Sequence, residues 1–80
     1  MRFLMNNNKI NIEKVRISLL RYMDYKGYTV CSLSKKCDIY SSTLKLFFNE
    51  KLSMKKDLSE AVIYTVLEVE NISLNELLAY

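Results

Sequence analysis

One glycine and no proline in 80 residues constrain this chain more than any motif in it. Sheet-rich domains of this size need Gly, Pro or Asn-Gly punctuation at their tight turns. A chain nearly free of both therefore reads as all-α, with turns built from Asn, Asp, Ser and Tyr. Half of the residues are apolar, enough for one compact domain and too few for two cores of ordinary size. A multidomain enzyme is excluded.

The charge is unevenly spread. Residues 1–29 carry six basic and two acidic side chains, residues 30–56 again six and two, and residues 57–80 none and five. A basic first two-thirds joined to an acidic tail points to a polyanionic partner for one face, because an evenly charged surface focuses no field.

Histidine is absent, which removes the usual general base and the commonest nitrogen ligand for metals. Cys31 and Cys37 are six apart, a spacing that fits neither a zinc-binding pair nor a disulfide framework. On one helix they lie about 9 Å apart along the axis and point apart around it, so they cannot bond to each other. Cys37 reads as a small apolar filler and Cys31 as the more exposed thiol. The expectation is no enzyme, no cofactor and no metal, in a reducing cytoplasm. Met1 to Met5 is shorter than the apolar core of a signal peptide, and the longest apolar stretch, Ala61 to Leu67, is far short of a membrane span. No membrane partner is expected, and residues 1–10 read as an N-terminal arm that contributes little to a domain over 11–80 and needs no ordered structure.

Five helices follow from caps and periodicity. Asn11 is a good N-cap, and Ile12, Val15, Leu19, Tyr22 and Met23 form one stripe of a helix over about 12–26, closed by Gly27. Thr29 opens a short second helix with Val30, Leu33 and Cys37 on one side and Lys35 and Lys36 outward. After Asp38-Ile39-Tyr40, the run Ser41-Ser42-Thr43 offers caps for a third helix to about Phe48 or Asn49. Leu44, Phe47, Phe48 and Lys51 share one face of it, and Ser41, Ser42, Lys45 and Asn49 the other. The fourth helix opens at Ser53 or at the capping box Asp57-Leu58-Ser59-Glu60, with Leu58, Ala61, Val62, Thr65, Val66 and Val69 as its buried stripe. Ser73-Leu74-Asn75-Glu76 is a second capping box for a short last helix.

Two short helices around a three-residue turn, the second with a small polar face beside basic residues, describe a helix-turn-helix. The order of residues adds to this. Lys26-Gly27-Tyr28-Thr29, Leu33-Ser34-Lys35-Lys36-Cys37-Asp38-Ile39, Ser41-Ser42-Thr43-Leu44, Phe47-Phe48-Asn49 and the ending Asn71 to Leu78 resemble the lambda-repressor-like (Cro/repressor, XRE) helix-turn-helix family over roughly residues 12–79. The resemblance implies a compact five-helix domain whose third helix enters the major groove of double-stranded DNA, as a homodimer on a pseudopalindromic operator. It also implies a small transcriptional regulator, a repressor of the phage or mobile-element type.

Carried over by position, Ser41, Ser42 and Lys45 are base-reading residues, and Asn49 holds the DNA backbone. Hydroxyls accept many bases and discriminate weakly, whereas Lys45 can donate to guanine O6 or N7. Lys35, Lys36, Lys51, Lys55 and Lys56 are expected phosphate contacts, which position without specifying. Tyr40, in the turn, adds a further backbone contact. Leu77, Leu78 and Tyr80 are read as a dimer contact, while Phe47, Phe48 and Tyr22 fall on buried stripes. The chain departs from the family pattern at Val30, where relatives often carry a polar residue, at Ser34 for alanine, and at Asp38 and Glu50 for glycines. Asp visits left-handed angles at modest cost, so the turn survives. The rival function is a helical protein-interaction module that keeps the fold, with a protein partner docked on the acidic segment 57–80 or on the basic face.

Overall fold

The computed structural model describes residues 10–49 and 54–80. Among them are five α-helices and no strand: α1 (Ile12–Lys26), α2 (Val30–Cys37), α3 (Ser41–Phe48), α4 (Lys56–Glu70) and α5 (Leu74–Leu78). The arm over 1–9 and the residues Glu50, Lys51 and Ser53 lie outside the described residues. Ile10, assigned from sequence to the arm, is half-buried against the core.

Three helices begin where their caps place them. Asn11 Oδ1 accepts from the Lys14 amide at 3.2 Å. Thr29 and Ser32 form a reciprocal capping box, with serine in the place usually held by Glu or Gln. Ser73 and Glu76 form another at the start of α5. The stops are equally local. At the end of α1, Gly27 takes φ +74°, and the Gly27 and Tyr28 amides return to the Asp24 and Met23 carbonyls. Asp38 and Asn71 end α2 and α4 at φ +56°, a conformation that short polar side chains tolerate.

One core runs through all five helices. It takes Val15, Leu19, Tyr22 and Met23 from α1, Leu33 and Cys37 from α2, Leu44 and Phe47 from α3, Val62, Ile63, Val66 and Leu67 from α4, and Leu77 from α5. α1 packs on α5 and α4, α2 on α3 and α4, and α3 on α4. Cys31 is exposed and Cys37 buried, both on α2 with free thiols. No helix among the described residues is long and apolar enough to cross a membrane.

Three expectations are corrected. α3 starts at Ser41 with Tyr40 as N-cap and no side-chain cap bond, so Ser41, Ser42 and Thr43 sit inside the helix rather than closing its end. α4 likewise starts at Lys56 with Lys55 as N-cap, and Asp57 lies in its first turn instead of capping it. The buried stripe of α4 is Ser59, Val62, Ile63, Val66 and Leu67, one position on from the expected one; Leu58, Ala61 and Val69 are exposed and Thr65 half-buried. The rotation trades Leu58, Ala61, Thr65 and Val69 for Ser59, Ile63 and Leu67, and turns the Glu70 side chain inward.

Leu44→Ala should destabilise the domain by about 2–5 kcal/mol in denaturant unfolding, because it empties a fully buried site. Ser42→Ala on the opposite face should stay within about 0.5 kcal/mol of the parent.

Candidate nucleic-acid interface

α3 divides cleanly between core and surface. Leu44 and Phe47 hold its back in the core, with Phe48 half-buried and edge-to-face against Phe47 at 5.2 Å. Ser41, Ser42 and Lys45 are all exposed on the outward face, and Asn49 is exposed at the C-cap. The spacing of one, four and eight that aligned these residues in the sequence is therefore realised on a solvent-facing surface.

The turn before α3 contributes to the same face. Tyr40 is 83% exposed. Together with Lys35, Asp38 and Ser41 it lines an open depression of about 420 Å³, floored by Ser34 and Ile39. A cation, a phenol and a hydroxyl thus converge beside the start of α3, a set of donors suited to phosphate oxygens. Asp38 lies in the same depression and opposes an anion there. Lys55 and Lys56 stand exposed at the opening of α4.

Lys36 differs from its neighbour Lys35. Its ammonium lies 2.8 Å from Glu70 Oε2 and donates to the Tyr28 hydroxyl at 2.6 Å. Glu70 is an acid that the sequence reading missed, and its side chain is only 2% exposed. Its Oε1 accepts from the Tyr22 and Tyr28 hydroxyls at 2.6 and 3.0 Å. Oε2 receives no well-aligned hydrogen bond, and the Lys36 ammonium is its counter-charge. Lys36 is consequently committed within the protein and does not stand with Lys35 as an uncompensated cation for phosphate.

The network perturbs every group in it. Burial pushes the Glu70 carboxyl up, but the close Lys36 ammonium and the hydrogen bonds from Tyr22 and Tyr28 outweigh it and leave it below its usual value of 4.5. The ion pair with Glu70, then the hydrogen bond to Tyr28, raises Lys36. Burial, then the bond to Glu70, raises the Tyr22 hydroxyl. Burial, then the nearby Glu70 charge, raises the Cys37 thiol.

The proposed dimer residues divide as well. Leu77 is 1% exposed and belongs to the core, so it offers nothing to a partner subunit. Leu78 and Tyr80 are partly exposed. The Tyr80 ring already packs on Tyr22 and Tyr25, at 5.1 and 5.7 Å between centroids, and its carbonyl accepts from Arg21.

A folded-state carboxylate pKa below the unfolded one stabilises the protein above the unfolded value, and this contribution disappears as pH falls through the folded one. Wild type should therefore be more stable than Glu70→Gln at about pH 7, with the gap narrowing as pH falls below the ordinary carboxylate range in denaturant titrations. A gap that stays constant over that range would contradict the charged network. No family model, curated protein or solved structure matches this chain.

Proposed function

We propose that this chain is a small sequence-specific double-stranded-DNA-binding regulator of the lambda-repressor-like helix-turn-helix type. It acts inside the cell as a repressor and homodimer on a pseudopalindromic operator. The observation that carries this reading is the outward face of α3. Ser41, Ser42 and Lys45 are exposed beside Lys35 and Tyr40, while Leu44 and Phe47 anchor the same helix in the core. A helix about 10–12 Å wide, held from behind and polar in front, has the shape that the major groove accepts.

In this reading Lys45 reads a base edge, Ser41 and Ser42 add tolerant contacts, and Lys35, Lys55, Lys56, Tyr40 and Asn49 hold the backbone. Leu78 and Tyr80 remain for the dimer contact, continuous with exposed Tyr25. A compact domain of this type resembles phage and mobile-element regulators, and control would come from protein level, a partner or a region outside these residues.

One observation favours the second reading, a protein-interaction module. The rotation of α4 leaves Leu58 46% exposed. With Ala61, Thr65, Thr43, Ile39 and Tyr40 it lines an open groove of about 220 Å³. Apolar side chains around a shallow groove suit a protein side chain better than a phosphate.

Binding measurements on lysine variants separate the two. Lys45→Ala should cost about 1–3 kcal/mol on the preferred duplex and relax selectivity there. Lys35→Ala should weaken all duplexes alike and lower the salt slope by about one. Lys36→Ala should leave that slope nearly unchanged, since Glu70 already compensates its charge. Equal small losses for Lys45→Ala and Lys35→Ala would contradict α3 as the reading helix.

A further inference from the structure

We propose that Arg16, on α1, is a positioning residue that sets the end of α3, and with it the aim of the outward face. This rests on the reading of α3 as the DNA-facing helix. Arg16 makes no part of that face. Its Nε donates to the Phe47 carbonyl at 2.9 Å, across 31 residues of sequence. Its guanidinium lies 5.8 Å from the centre of the Phe47 ring, and its side chain is only 16% exposed. Glu13, one turn earlier on α1, lies 4.0 Å from Nη1.

The bond has a specific mechanical effect. The last carbonyls of a helix have no partner within it, so the end of a two-turn helix frays unless something outside binds them. α3 ends on Asn49, whose amide returns to the Leu46 carbonyl while the backbone leaves the helix at φ −88° and ψ +107°. Arg16 takes the next carbonyl along, that of Phe47, and lays its planar fork against the ring of the same residue. A charged donor at the C-terminal end of a helix also complements its dipole. The last turn of α3 is thereby tied to the longer helix α1, and Lys45 and Asn49 are presented from a fixed end.

Lysine cannot reproduce this arrangement, because it lacks both the planar fork and the fixed Nε–H direction. Arg16→Lys keeps the charge and tests geometry alone, and Arg16→Met removes the donor while keeping length. The experiment measures amide exchange across Leu46–Asn49 in both variants, together with the ratio of affinities for the preferred and a scrambled duplex over a salt series. Exchange there should rise by about tenfold relative to Leu44, and discrimination should fall by about the same factor at an unchanged salt slope. Exchange across Leu46–Asn49 as slow as in wild type, in either folded variant, overturns this inference alone. Looser exchange with unchanged discrimination reduces Arg16 to a structural tie and also overturns it. A wild-type protein with no preferred duplex overturns the DNA reading and this role with it, whatever the exchange shows.

Discussion

Burial of Leu44 and Phe47 is the constraint on which the rest of this molecule depends. α3 is eight residues long, and a helix of two turns is not stable by itself in water. It exists because its back is held by α2 and α4, and because Arg16 takes one of its terminal carbonyls. Stability thus comes from one side, and the other is released from any structural duty. Small polar residues and a lysine can occupy the outward face at almost no cost to the fold. The same division explains how an 80-residue chain keeps a polar face on α3 while burying only about two-thirds of its unfolded surface.

Electrostatics operate on two scales. Over the whole chain the basic residues gather before position 57 and the acidic ones after it. Within the fold that separation is partly closed, because Glu70 from α4 meets Lys36 from α2 in a pocket completed by Tyr22 and Tyr28. This pair joins the acidic half to the basic half and fixes α2 against α4. Its cost in desolvation is met by hydrogen bonds to Oε1 and by the half-exposed position of Lys36. The cations left facing solvent around α3 are fewer than the sequence count suggests, and the field they make is correspondingly more local.

Much of the fold was legible in the sequence because its signals are local. Asn11, Gly27, Thr29, Asp38, Ser73 and Glu76 act on backbone groups within four residues of themselves, and the boundaries of α1, α2 and α5 follow from them. The phase of α4 was not legible. Val62 and Val66 belong to both candidate stripes, and only packing against the other helices chooses between Leu58 and Ile63. Neighbours such as Lys35 and Lys36, or Leu77 and Leu78, look alike in sequence and differ only in what lies opposite. Arg16 and Glu70 owe their roles to partners 31 and 34 or more residues away, and no local pattern announces such pairings. The polar face of α3 was visible at once, since its spacing is a property of one short helix.

Selection of bound duplexes from a random library at about 150 mM salt tests the central claim most directly, because a Debye length of about 8 Å suppresses loose attraction to any polyanion. The account predicts enrichment of one motif, as paired half-sites centred about one helical turn apart. A pool without enrichment, recovered from folded protein, would contradict it.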